Sequence, residues 1–161
     1  MPLVDLPSRP SPLFCRDAGE GNPVLLIHGW PHDRRVWDGL GDRLGDRCRL
    51  IVPDLPGFGY SPPRGDGADP LRMGSLADDL AALLDARGVT APVTLGGVSM
   101  GGYVSLAFLA KYPDRVARLM LFDSKATADS DAAKAKRDEI VTRLTDRGTG
   151  WLAEDCPDLG R

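Results

Sequence analysis

Histidine is scarce in this chain. Its 161 residues hold two, His28 and His32, and none follows. Chemistry that needs an imidazole must draw on this early pair or on another chain. Cysteine is sparse too: Cys15, Cys48 and Cys156 are odd in number, widely spaced and without metal-ligand spacing, which leaves reduced thiols, the state of a cytoplasmic protein. No apolar run approaches membrane-spanning length. Residues 1–12 have neither a basic start nor an apolar signal core, so no secretion signal is expected and the expected location is the cytoplasm. Basic charge is not in excess. A net charge of −3 argues against nucleic acid or an anionic membrane as the main partner. Internal repeats are absent.

What remains is the composition of a soluble globular domain, 42% hydrophobic and 27% charged, long enough for one real core. Four prolines make residues 1–12 an extended arm. Residues 13–16 suit an edge strand. The continuous apolar run 24–27 is the pattern of a strand buried on both faces. Asp33 can cap a helix whose apolar positions are Val36, Trp37, Leu40 and Leu44, weakened by Gly39 and Gly41. Residues 50–52 form another buried strand, ending at Pro53-Asp54. The stretch from Leu55 to Pro70 is too rich in Gly and Pro for regular structure. Ser75 and Asp78 have capping-box spacing ahead of a helix striped by Leu76, Leu80, Leu83 and Leu84 and ended by Gly88. A strand at 93–95, a helix over 101–112 stopped by Pro113, and a strand at 116–122 follow.

Strands thus alternate with helices from residue 13 to 123. That predicts an α/β fold: a mostly parallel sheet with helices on both faces. Such sheets bind ligands beyond the carboxyl ends of their strands, where His28, Asp54, Ser99 and Asp123 all fall. The expected organisation is an arm at 1–12, the core at 13–125, and a segment at 126–161 that starts a helical lid or forms a C-terminal helix. The stripe there is Ala133, Lys136 or Arg137, Ile140 and Leu144.

The chemistry centres on Gly97-Val98-Ser99-Met100-Gly101. This G-x-S-x-G sequence stands between a strand and a helix, the setting that gives the motif meaning. A nucleophile on so sharp a turn has a strained backbone, and glycine two residues to either side leaves room for close approach. The helix behind it points free N–H groups at the reacting oxygen. Ser99 is the candidate nucleophile. The competing reading, a glycine-rich turn with an incidental serine, is weakened by the strand before and the helix after.

Three segments in order carry a family resemblance: His28-Gly29-Trp30, then Asp54-Leu55-Pro56-Gly57-Phe58-Gly59-Tyr60-Ser61, then Gly97 to Gly102. Together they resemble the α/β-hydrolase superfamily. Residues 121–129 look like its enol-lactonase, carboxylesterase and cofactor-free haloperoxidase-like branch. The resemblance covers residues 13–145 but only the front half of the family's fold, so the chain is expected to be truncated where a lid begins. It implies a covalent acyl-enzyme formed on Ser99 from a small carboxylic ester or lactone. The oxyanion would be held by the backbone N–H groups of Met100 and Trp30, each worth about 3 kcal/mol in the transition state. Asp123 is a candidate acid, against the plainer reading of a capping or turn residue. The Asp54 element reads as a structural turn. No metal or organic cofactor is implied.

One departure is basic to the chemistry. The family's general base is a late histidine, and here His28 belongs to the oxyanion loop while His32 suits the surface. Serine without a base is a weak nucleophile. Two further readings therefore stand beside the truncated hydrolase: a half-enzyme completed by a partner chain or a second copy, and a non-catalytic binding protein that keeps the pocket. Dinucleotide binding fits poorly, because His28-Gly29-Trp30-Pro31 lacks G-x-G-x-x-G.

Overall fold

A computed structural model describes residues 3–7, 9, 11–44, 47–64 and 71–152. The chain separates into two compact units, Met1–Ala126 and Thr127–Arg161. The first contains a six-stranded sheet built from β1 (Leu3–Val4), β2 (Leu13–Ala18), β3 (Pro23–Ile27), β4 (Arg49–Pro53), β5 (Val93–Val98) and β6 (Val116–Phe122), in the order β1-β2-β4-β3-β5-β6. The pairs β3–β4, β3–β5 and β5–β6 are parallel, whereas β1–β2 and β2–β4 are antiparallel. The sheet is therefore mostly parallel, as its alternating strands and helices predict.

Apolar alternation within the central strands explains the layers. Leu25, Ile27 and Ile51 face one buried cluster with Leu76, Leu80, Leu83, Leu84, Val104 and Phe108. These helical residues belong to α2 (Met73–Ala86) and α3 (Met100–Lys111). Leu26, Leu50 and Val52 point the other way, to a smaller cluster with Trp37, Leu40 and Leu44. Leu40 and Leu44 lie on α1 (Asp38–Leu44). Successive residues of a strand point to opposite faces, so a continuous apolar run requires cover on both.

Several local expectations shift. The arm is not merely extended: β1 pairs with β2 and Leu6 is buried, so β2 is not an edge strand. Asp33 does cap, but it caps a 3-10 turn, Arg34–Trp37, by accepting from the Arg35 N–H, and α1 begins only at Asp38. Val36 consequently points to solvent. The capping-box reading fails, because α2 already starts at Met73 behind Arg72 and Ser75 lies inside the helix. In the second unit α4 (Asp131–Arg147) begins after its cap Ser130 rather than at 126, and buries none of its residues. Cys156 lies outside the described residues. No helix among those described is long and apolar enough to cross a membrane.

Candidate active site

From β3 the chain moves outward to β4, then crosses back over β3 to β5 and on to β6. The direction reverses between β3 and β5, and a parallel sheet opens a crevice at that point. His28 follows β3 there, and Ser99 follows β5.

Ser99 has φ 50° and ψ −115°, a positive-φ conformation that side chains other than glycine rarely adopt. Such strain costs about 1–3 kcal/mol and persists only where the surroundings over-determine it. Here the Ser99 N–H donates to the Phe122 carbonyl at 3.0 Å, while its own carbonyl accepts from the Gly102 N–H at 2.9 Å and from Ser124 Oγ at 3.0 Å. Missing side chains complete the fit. A Cβ on Gly97 would strike the Gly101 carbonyl, one on Gly101 would strike the Ile27 carbonyl, and one on Gly102 would strike the Ser124 side chain. Ser105 Oγ fixes the same turn by donating to the Gly101 carbonyl at 2.8 Å.

Met100 is the first residue of α3. Gly29 lies directly against Ser99: a Cβ there would sit 3.2 Å from that of the serine. Trp30, next in the chain, is 37% exposed. Ser99, Met100 and the Gly29-Trp30 segment are thus brought together. Asp123 is exposed at φ 42°, between Phe122 and Ser124, both of which bond the Ser99 backbone.

His28 is fully buried, and both of its ring nitrogens are engaged. Nε2 accepts from the Leu55 N–H at 3.0 Å, so the ring proton is on Nδ1, which faces the Gly29 carbonyl at 3.0 Å. Burial holds its pKa below the usual histidine value, keeping the ring neutral. Its lone pair is spent on Leu55. His28 is a structural post for the loop and has no lone pair left for Ser99.

Asp54 is the hub of the neighbouring turn. Oδ1 accepts from the Arg34 N–H at 2.9 Å; Oδ2 accepts from the Arg34 guanidinium at 2.8 Å and the Tyr60 N–H at 2.9 Å. Ser61 Oγ donates to the Asp54 carbonyl and accepts from the Phe14 N–H. Gly59, at φ 52°, leaves the space that the Asp54 carboxylate fills. This supports the structural reading of Asp54. Arg34, Ser124 and Ser105 escape sequence reasoning, because each acts through a contact that only the folded chain creates. Among the described residues no cluster of His, Cys, Asp or Glu is arranged to hold a metal ion.

A doubly covered parallel sheet with a strained serine at its switch point defines a class, and sequence comparison agrees: residues 22–157 match the alpha/beta hydrolase fold family, to which this chain belongs. Over 110 residues it is 34% identical to the cis-3-alkyl-4-alkyloxetan-2-one decarboxylase of Shewanella oneidensis, covering 68% of this chain and 35% of that protein. It is 40% identical over 110 residues to a pimeloyl-[acyl-carrier protein] methyl ester esterase of Neisseria meningitidis, covering 67% and 32%. A solved thermophilic esterase from Thermogutta terrifontis superposes with a TM-score of 0.84 at 42% identity, covering 96% of this chain and 56% of that one. The chain therefore spans about a third of the length of these curated relatives and about half of the solved esterase.

Proposed function

We propose that the chain carries the nucleophile and oxyanion half of an ester hydrolase that acts on small carboxylic esters or lactones. The carrying observation is the Ser99 backbone, held at φ 50° by hydrogen bonds and glycine packing where β5 meets α3. A strained turn lifting one hydroxyl above a sheet has an evident use in nucleophilic attack. The general base would take the Ser99 hydroxyl proton as Oγ adds to the carbonyl carbon, the Met100 and Trp30 N–H groups would hold the oxyanion, and the same base would return the proton to the alkoxide as the acyl C–O bond breaks. Water would then release the acid.

The names of the relatives support this substrate class: one is a methyl ester esterase, and one is named for an oxetan-2-one, which is a cyclic ester. The general base is not His28, whose lone pair is occupied by Leu55; His32 or a partner chain is left to supply it. Asp123 is kept as the candidate acid. Where that base is missing, only the ~10³–10⁴-fold catalysis that oxyanion stabilisation and binding supply is expected of this chain.

The test is intact mass after exposure to a fluorophosphonate, with and without imidazole as a diffusible base, using Ser99→Ala as control. Slow labelling that needs Ser99 and accelerates with imidazole is the expected result. A folded sample with no Ser99-dependent adduct under either condition would overturn the proposal.

A further inference from the structure

Arg34 stands apart from the residues a hydrolase reading singles out, yet it is bound on several sides. Its guanidinium lies 4.3 Å from the Phe14 ring centroid and 5.0 Å from that of Tyr60. Asp54, fully buried, takes both its backbone N–H and its guanidinium. The residue on the other side of the loop, His28, is bonded to Leu55, the neighbour of Asp54. The segment 29–33 is therefore strung between two posts, His28 and Arg34, anchored on consecutive residues at the end of β4. Within it the His32 N–H donates to the Gly29 carbonyl at 3.0 Å, closing a tight turn around Trp30.

We infer that Arg34 is a positioning residue: through Asp54 it sets where the Trp30 N–H points relative to Ser99. This rests on the proposed role of the Trp30 amide as an oxyanion donor. An oxyanion donor works only if it is held at the right place before charge develops, so freedom at one end of a five-residue loop is lost transition-state stabilisation. The charge-assisted geometry beside two aromatic rings suits arginine. A lysine would keep the charge opposite Asp54 but lose the guanidinium's fork and its contact with the Phe14 and Tyr60 rings.

The full 161-residue chain would be studied as Arg34→Met and Arg34→Lys, with two readouts. The first is the ¹⁵N order parameter of the Trp30 amide, expected to fall from about 0.85 toward about 0.6 in Arg34→Met and to recover in part in Arg34→Lys, with the Met100 and Gly101 amides unchanged. The second is Ser99-dependent acylation by p-nitrophenyl acetate, expected to drop about tenfold in rate with KM unchanged, as for partial loss of one oxyanion donor. Should Arg34→Met not fold, Arg34→Gln serves in its place, because it keeps a hydrogen-bond donor for Asp54 but removes the guanidinium and its charge. A Trp30 amide that stays rigid in the variants overturns the inference, as does a lowered melting temperature with acylation rate intact. If acylation is the same in wild type and Ser99→Ala, the proposed function fails, and the order parameter alone decides the positioning role.

Discussion

At the scale of single residues, the site is made by atoms that are missing as much as by those present. Gly101 lets α3 start against the carbonyls of Ile27 and His28, so Gly101→Ala should cost about 1–3 kcal/mol in urea unfolding through overpacking. Gly39 meets nothing within 4 Å on the exposed side of α1, and Gly39→Ala should instead add about 0.5–1 kcal/mol. Equal effects at the two positions would contradict the packing argument. His28 makes a pH prediction. Its folded pKa lies below the unfolded value of 6.5, so the unfolded chain takes up a proton that the buried ring refuses. Stability should fall as pH drops below about 6.5, and His28→Gln should flatten that slope between pH 7 and 5. Cys15 acts at the other end of the scale: burial pushes its thiol from 9.0 up to about 12, so stability should fall as pH rises past 9.

At the scale of elements, α2 is tied to the N-terminal arm by a charge pair removed from water. Arg9 Nη1 and Asp79 Oδ2 are 3.7 Å apart with both side chains buried, and none of their side-chain nitrogens and oxygens has a hydrogen-bond partner. Burial raises the Asp79 pKa, against the pull of Arg9 and of Arg64. A pair so poorly bonded contributes little net stability, but removing Arg9 leaves the buried Asp79 carboxylate with Arg64 alone, at 3.5 Å. Arg9→Met should therefore destabilise by less than the ~3–5 kcal/mol of a wholly unpaired buried charge, whereas Arg9→Met with Asp79→Leu should recover most of the loss. Chemical denaturation of the two variants measures both. A double variant as weak as the single one would show that the pair itself holds the arm.

At the scale of the molecule, the sheet ends on β6, which has no further strand partner among the described residues. Leu121 and Phe122 on it are 39% and 41% exposed. An apolar edge strand is a template for another chain, so these 161 residues on their own should self-associate with rising concentration. Leu121→Lys, placing a charge on the edge, should shift sedimentation toward monomer. A wild-type chain that sediments as a monomer at every concentration would refute this.

How much of this could be read without coordinates follows from the range of the forces involved. The strands at 24–27, 50–52 and 116–122, and the G-x-S-x-G turn, were legible because burial on two faces and backbone strain select residue types over a few consecutive positions. Helix starts were less legible. Ser75 has capping spacing, but whether the helix begins one turn earlier is decided by burial of its stripe against α3, not by its local sequence. The pairing of the arm as β1, the reversal between β3 and β5, and the bonds from Arg34 to Asp54 and from Ser124 to Ser99 were invisible. Each joins residues about twenty or more positions apart or on separate strands, or depends on strand order. The sequence by itself determined the candidate nucleophile and the layered α/β plan. The resemblance already set His28 in the oxyanion loop and not as the base; only the tertiary structure decided what occupies its lone pair, because that depends on one hydrogen bond from Leu55, 27 residues away.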